Sequence, residues 1–248
     1  MQKSDQLKIR RLALFSNMLQ AHFNDLLKNA YLQTFPNSLN LFNQGERPDF
    51  LHILIDGVVE LYATHEDKHT TMGVMHPVGS FILAACIKDM PYLMSARTLA
   101  PSQVILIPAS DLRAIFRRDT EFAVSVVNEL AGAYRTLVRH TKDLKLRSSL
   151  ERIAAYLLKQ GSVSGDLDAY KLNIDKKILA SYLGMTAENF SRLLKELKTH
   201  GVDVSGGHIT ITNKKRLIEF VHPDILIDGE DAVDQSLSLP LIKPLETV

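Results

Sequence analysis

At Ser110 the spacing of apolar residues changes, and no single regular element satisfies both spacings. From Tyr31 to Pro108, short apolar or alternating runs recur at Leu39–Phe42, Leu51–Ile55, Val58–Ala63, Thr70–Met75 and Val104–Ile107. Turn formers separate them at Gln44-Gly45-Glu46, Asp56-Gly57, Pro77-Val78-Gly79 and Ala100-Pro101-Ser102. A period of two puts alternate side chains on opposite faces of a strand. Asp56-Gly57 between two such runs predicts a β-hairpin. Several short strands at this spacing predict a small antiparallel barrel or jelly roll. Ahead of them, Leu12, Phe15, Leu19, Phe23, Leu26 and Leu27 have helical spacing, and beyond Ser110 that spacing returns and holds to about Gln160.

Within the second helical stretch Ala123, Val126, Leu130, Ala133, Leu137, His140 and Leu144 follow one another at steps of 3, 4, 3, 4, 3 and 4. A long helix with one narrow apolar stripe calls for a partner helix. The stripe predicts a parallel two-helix dimer whose seam is Val126, Leu130, Ala133, Leu137, His140 and Leu144, with His140 setting register. The competing reading lays the helix along its own barrel.

Composition narrows the class. The chain has 248 residues, 46% hydrophobic and 23% charged, as in ordinary globular proteins. The net charge of +1 averages unlike segments. Residues 151–222 carry 11 Lys and Arg against 8 Asp and Glu, net +3, while residues 223–248 carry 1 Lys against 6 acids, net −5. The single cysteine, Cys86, excludes a disulfide framework and any cluster built on several thiolates of one chain, and reads as a small core residue. No apolar run is long enough to cross a bilayer, and Met1-Gln2-Lys3-Ser4-Asp5 leads into charged residues rather than a signal core, so a cytoplasmic location is expected.

The most informative stretch runs from Asp175 to Val202. Asp175 is placed to cap a helix with apolar positions Ile178, Leu179 and Leu183, and Gly184 supplies the turn that ends it. Thr186 is placed to cap a second helix, with Glu188 in its first turn and Phe190, Leu193, Leu194 and Leu197 as its buried side. Two short helices joined by a tight glycine turn predict a helix-turn-helix. A β-hairpin follows, Val202–Ser205 and His208–Thr212 about Gly206-Gly207, and Tyr170–Ile174 offers a short strand before it. Glu188, Ser191 and Arg192 stand at i, i+3 and i+4 near the start of the second helix. In such motifs these positions meet base edges in the major groove, where arginine pairs with guanine and a carboxylate accepts from cytosine. The plain alternative is an exposed Glu–Arg ion pair. Thr186, Lys176, Lys177, Lys195 and Lys198 are candidate phosphate contacts, together with Lys214 and Lys215, against the plain reading of solvated side chains.

Several of these pieces resemble the Crp/Fnr superfamily of bacterial transcription regulators. They are Leu14-Phe15-Ser16, Phe42-Asn43-Gln44-Gly45-Glu46, Leu51-His52-Ile53-Leu54-Ile55-Asp56-Gly57, the long helix, and Glu188-Asn189-Phe190-Ser191-Arg192, which is similar to the Fnr-type E-x-x-S-R pattern. The resemblance reaches to about residue 222. It implies an α+β chain: a β jelly-roll sensor over residues 1–110, a dimerisation helix region over 111–147, a winged helix-turn-helix over 148–222 and an acidic tail over 223–248. It further implies a homodimer on double-stranded DNA, reading a palindrome with half-sites like TTGA and TCAA, and contact with RNA polymerase.

The sensor departs from the cyclic-AMP-binding pattern. Leu83 and Ala84 stand where those members carry a Gly-Glu pair, and Met94 stands before Ser95 where they carry Arg. A phosphate there loses its cationic partner, so cyclic AMP is disfavoured and Leu83, Ala84, Met94 and Ser95 mark a degenerate effector pocket. The absence of N-terminal cysteines removes an Fnr-type iron–sulfur cluster. Asp89-Met90-Pro91-Tyr92, Ser95-Ala96, Pro101-Ser102-Gln103 and Leu183 to Asn189 are similar to the nitric-oxide-responsive Dnr/NnrR-type branch, which implies haem b and nitric oxide sensing. His22, His52, His76 and His140 lie in or near the sensor and dimer regions, and no metal ligand is assigned among them. The rival readings are a regulator of another small ligand or of none, an architectural DNA-binding protein without sensing, and a cupin-like metalloenzyme drawing on His52, His65, His69 and His76.

Overall fold

The computed structural model describes residues 3–163, 168–172 and 174–229, in two units that divide near Thr136. Unit 1 opens with three short helices, α1 (Lys3–Arg10), α2 (Ala13–Ser16) and α3 (Gln20–Lys28). Eight strands follow: β1 (Tyr31–Phe35), β2 (Asn40–Phe42), β3 (Phe50–Asp56), β4 (Val59–His65), β5 (Lys68–Met75), β6 (Gly79–Phe81), β7 (Ser95–Thr98) and β8 (Ser102–Pro108), with helix α4 (Leu83–Lys88) between β6 and β7. They form two antiparallel sheets, ordered β1-β8-β3-β6 and β2-β7-β4-β5. Helix α5 (Ala109–Arg118) and the 27-residue α6 (Thr120–Leu146) complete the unit, and α6 continues into unit 2.

Two cores explain the sequence texture. Leu54, Val59, Leu61, Met75, Phe81, Ala96, Val104 and Leu106 pack between the two sheets with Phe42 and Tyr92. On the other side of β3 and β8, Leu51, Ile53, Ile55, Ile105 and Ile107 pack against Phe15, Phe23, Leu112 and Phe122 of the helices. A strand buried on both faces reads as a continuous apolar run rather than an alternating one, which accounts for Leu51–Ile55. The five strand-like runs of the sequence are strands β2, β3, β4, β5 and β8. The short β7 was invisible to apolar periodicity because its buried hydroxyls do the fastening: Ser95 Oγ accepts from Gln44 N at 2.9 Å, and Thr98 Oγ1 accepts from Leu39 N at 2.9 Å and donates to Pro36 O at 2.6 Å. Glu60, fully buried, accepts from Thr71 Oγ1 and Arg97 Nε, each at 2.6 Å, and so ties β4 to both neighbours.

The hairpin expected at Asp56-Gly57 does not form. β3 and β4 lie in different sheets, and Gly57 (φ +97°) carries the chain from one to the other. A Cβ there would lie 2.6 Å from the Pro101 carbonyl oxygen and would also meet Ser102 Oγ, so the close approach requires glycine. The hairpin is β4–β5 instead, closed by Glu66-Asp67 with His65 opposite Lys68.

Unit 2 holds the end of α6, then α7 (Ser149–Val163), β9 (Ala169–Lys171), α8 (Lys176–Tyr182), α9 (Ala187–Glu196), a 3-10 turn (Leu197–His200), β10 (Val202–Ser205), β11 (His208–Ile211), α10 (Lys214–Val221) and α11 (Ile225–Asp228). A capping box starts α7: Ser148 N donates to Glu151 Oε2 at 2.7 Å and Glu151 N to Ser148 Oγ at 3.3 Å. The strands form one antiparallel sheet, ordered β10-β11-β9, and Gly206-Gly207, both at positive φ, close the expected hairpin. The helical spacing read to about Gln160 runs further in the structure. Gly161 to Val163 continue α7, while residues 164–167 lie outside the described residues. Residues 223–229, the start of the acidic tail, contain α11, capped by Asp224, whose carboxylate accepts from Leu226 N at 2.8 Å. Polar contacts rather than apolar periodicity order this turn. Residues 230–248 of the acidic tail lie outside the described residues.

Asp119 joins the start of α6 to the N-terminal helices. Its carboxylate, 2% exposed as a residue, accepts from Phe122 N at 3.0 Å and Leu19 N at 3.1 Å and pairs with His22 Nδ1 at 2.8 Å. Burial raises the Asp119 pKa, but the Phe122 amide, the His22 ring and the Leu19 amide outweigh it and the net shift is downward. A depressed carboxylate contributes stability above its unfolded pKa of about 3.9 and loses it as pH falls through the folded value. Asp119→Ala is expected to destabilise the protein by about 1–2 kcal/mol at pH 7 and by less in acid, read from urea unfolding. An equal loss at both pH values would show that the charge plays no part.

Candidate nucleic-acid interface

The helix-turn-helix forms where its caps predict. Asp175 accepts from Lys177 N at 2.6 Å to start α8, and Thr186 Oγ1 accepts from Asn189 N at 3.2 Å to start α9. Between them Gly184 sits at φ +69°, the left-handed conformation that glycine adopts without a steric cost. Phe190, Leu193 and Leu194 of α9, with Leu197 beyond it, are buried. That burial turns Glu188, Ser191 and Arg192 to solvent on one face near the helix start, together with Lys195.

The exposed trio is not held together by a Glu188–Arg192 ion pair. Arg192 Nη2 donates to Asn189 Oδ1 at 2.8 Å, and its Nη1 stands 3.6 Å from Glu196 Oε2, leaving the side chain 68% exposed. Glu188 keeps its charge: its own amide and the Thr186 hydroxyl hold its carboxyl below the usual range, with Lys177 adding to the effect. Lys176, Lys177, Lys195, Lys198 and Lys215 are exposed and Lys214 half-buried. Lys198 Nζ lies 3.9 Å from Asp203 of β10, and Lys215 Nζ 4.0 Å from Glu219, both loose surface pairs.

Arg152 was not singled out in the sequence. It is 7% exposed on α7, where Nε donates to Leu183 O at 2.9 Å and Nη1 to Arg147 O at 2.7 Å, while Nη2 reaches Ser149 Oγ at 3.1 Å and Gly184 O at 3.5 Å. It therefore fastens the turn between α8 and α9 to the junction of α6 and α7. The signal was faint: one basic residue among the buried Ile153, Ala154 and Leu157 of α7.

The six residues of the predicted dimer seam do not share one environment. Val126 is fully buried in the helix-covered core of unit 1, with Leu130 packed against it, so neither is free for a partner. Ala133 is half-buried, and His140 stacks on Tyr182 with ring centroids 4.7 Å apart. Leu137 and Leu144 are exposed. A second stripe, one residue along, is exposed throughout: Val124, Val127, Ala131, Tyr134 and Val138, again at steps of 3, 4, 3 and 4. The intramolecular core takes Val126 and Leu130 of the first stripe and none of the second.

The four residues of the degenerate effector pocket are not gathered. Leu83 packs into the helix-covered core, Met94 against the inter-sheet core, Ala84 is exposed, and Ser95 is spent on the Gln44 amide. The inter-sheet interior is filled by aromatic side chains: Phe42 lies 4.1 Å from Tyr92 and 5.0 Å from His52, and His52 lies 5.3 Å from Phe81, centroid to centroid. Burial pushes the His52 imidazole down to about 4, against the pull of the Phe50 backbone, and its Nδ1 has no hydrogen-bond partner among the described residues. His22 is taken by Asp119, and His76 is half-buried. Among the described residues no group of three His, Cys, Asp or Glu side chains is placed to hold a metal ion, and no helix is long and apolar enough to cross a membrane.

Residues 32–119 match the cyclic nucleotide-binding domain family, and residues 151–220 match the Crp-like helix-turn-helix domain family. The chain is 26% identical over 208 residues to the anaerobic regulatory protein of Aggregatibacter actinomycetemcomitans, covering 81% of each. It is 28% identical to a solved regulatory protein of Silicibacter pomeroyi DSS-3, whose description suggests cAMP binding, over 90% of this chain and all of that one, with a TM-score of 0.56. FixK2 from Bradyrhizobium japonicum is 22% identical over 77% of this chain and 96% of its own, and its TM-score of 0.66 shows the shared fold.

Phe190→Ala is expected to cost about 3–5 kcal/mol of stability, since it empties a fully buried ring position. Glu188→Ala, on the exposed face, is expected to leave stability close to that of the wild type. Thermal unfolding of the two variants checks the orientation of α9, and equal losses would place Glu188 inside the fold.

Proposed function

The chain belongs to the Crp/Fnr family of transcription regulators, and from that premise we propose that it reads a palindrome with TTGA-like half-sites as a homodimer, one α9 to each half-site. The observation that carries this reading is the outward face of α9, where an acceptor, a hydroxyl and a lightly held guanidinium stand clear of solvent-excluded packing at the start of a capped helix. Arg192 pairs with a guanine, Glu188 with a cytosine amino group, and Ser191 with either, while Thr186, Lys176, Lys177, Lys195 and Lys198 contact phosphates. The partner is a second copy of this chain, joined along the exposed stripe Val124, Val127, Ala131, Tyr134 and Val138, because knobs at that spacing fit a parallel helix pair. Contact with RNA polymerase, and action in the cytoplasm, follow from the family alone. The cupin-like alternative is set aside, because the relatives are transcription regulators.

Arg192→Ala is expected to weaken binding to a TTGA–TCAA duplex by about 1–3 kcal/mol per half-site, whereas Lys195→Ala weakens all sequences alike and shallows the salt dependence. Fluorescence anisotropy titrations at two salt concentrations read both. An Arg192→Ala curve that overlays the wild type would overturn the assignment.

For the signal, a small effector acting on unit 1 is the reading, and haem with nitric oxide is the form to which the sequence points. One observation favours it: His52 presents a neutral imidazole with an unpartnered Nδ1, the type of donor that haem iron accepts. The rest of the interior does not fit a porphyrin as it stands, because Phe42, Phe81 and Tyr92 fill the space around that ring. Haem titration of the purified protein, followed by absorbance, decides between them. A sharp Soret band that shifts with nitric oxide supports haem, and a free-haem spectrum leaves another small ligand or none.

A further inference from the structure

Beyond the reading face, unit 2 contains a polar chain that no base contact requires. Arg147 stands between α6 and α7 with its side chain 8% exposed. Its Nη1 and Nη2 donate to the two carboxylate oxygens of Asp228 at 2.6 and 2.7 Å, and Nη1 also donates to Asp143 of α6 at 3.0 Å. A guanidinium and a carboxylate joined by two parallel bonds define a geometry as well as an attraction. Asp228 is itself fixed, since Asp224 N donates to it at 2.8 Å, and Lys142 of α6 donates to the Leu226 carbonyl at 3.2 Å. Burial pushes the Asp228 carboxyl up, yet the Arg147 guanidinium and the Asp224 amide bring its net pKa down, so the pair is charged at neutral pH. The backbone carbonyl of the same Arg147 accepts from Arg152, whose remaining donors reach Leu183 and Gly184 in the turn that launches α9.

We propose that residues 223–229 are a clasp that fixes the reading helix relative to the end of α6, with Arg147 and Asp228 as its positioning residues. This rests on the DNA-reading role of α9. The chain of contacts is contiguous: Asp228 holds the Arg147 side chain, the Arg147 carbonyl holds Arg152, and Arg152 holds the turn before α9. Without the clasp, the end of α6 is held to the helices that follow by the backbone at Arg147-Ser148, by Arg152 and by the stacking of His140 on Tyr182. Play at that junction does not touch the face that meets a base. It spoils the simultaneous seating of two copies, because half-sites one helical turn apart require both reading helices at a set spacing. Positioning therefore predicts a split between two duplexes that a purely structural role does not.

The test uses the full chain and Asp228→Asn, which keeps the shape of the side chain and removes its charge. Binding is measured on a TTGA–TCAA palindrome and on a duplex with one half-site. The expected result is a loss of about tenfold or more on the palindrome, with half-site binding within about twofold of wild type. Arg147→Lys, which gives up the paired bonds while keeping the charge, is expected to fall between. Equal losses on both duplexes, or none on either, overturn the clasp. Hydrogen exchange of the DNA-free protein is the second measurement: the Leu183 and Gly184 amides are expected to exchange faster in Asp228→Asn, with the Leu217 amide of α10 unchanged. If the wild type ignores the palindrome, the DNA reading has failed, and this exchange pattern alone upholds or overturns the clasp. If Asp228→Asn does not fold, Asp228→Glu carries the same comparisons with smaller effects of the same sign.

Discussion

Burial of one face of α9 fixes the roll of that helix, and the reading surface follows from the roll. Phe190, Leu193, Leu194 and Leu197 occupy the interior, and at 3.6 residues per turn this leaves residues 188, 191, 192 and 195 facing solvent. No separate interaction is needed to aim them. A helix turned by one residue would bury a guanidinium and expose a phenyl ring, and both changes are unfavourable. Arg192 rests on Asn189 and Glu196 of its own helix, partners that are exposed and readily exchanged for a base edge. What fixes the place of α9, as distinct from its roll, is polar: the Arg152 guanidinium donates to the Arg147 carbonyl at the α6–α7 junction and to the Leu183 and Gly184 carbonyls in the turn.

Unit 1 is organised by a sheet that is covered on both faces. Helices close one side of β3 and β8, and the second sheet closes the other. Helix α4 follows β6, and the chain enters it through Ile82 at φ +66°. A β-branched side chain is strained in that conformation. Between the sheets Phe42, Phe81 and Tyr92 pack around the His52 ring, whose Nδ1 has no hydrogen-bond partner among the described residues. An effector acting there competes with the protein's own side chains for the site.

Much of this was legible in the residues, and the failures share a cause. Caps, glycines and apolar periods are local, so α8, the Gly184 turn, α9 and the Gly206-Gly207 hairpin stand where the sequence placed them. Asp56-Gly57 was misread because a turn dipeptide specifies a change of direction, not the strand that receives the chain. On α6 two apolar stripes lie one residue apart, and periodicity cannot say which of their residues the molecule buries within itself. Arg147 and Asp228 were missed because they are 81 residues apart, and a charged pair at that separation has no period.

The sequence by itself determined the longer helices, the five apolar strands and the place of Glu188, Ser191 and Arg192 near the start of α9, since these rest on interactions between residues within a few turns of one another. Tertiary structure decided which sheet β4 joins, which stripe of α6 stays exposed, which rings meet between the two sheets, and that residues 223–229 contact the α6–α7 junction. Those outcomes depend on competition between distant segments for the same buried surface and the same hydrogen-bonding groups, and that competition is settled only when the segments meet.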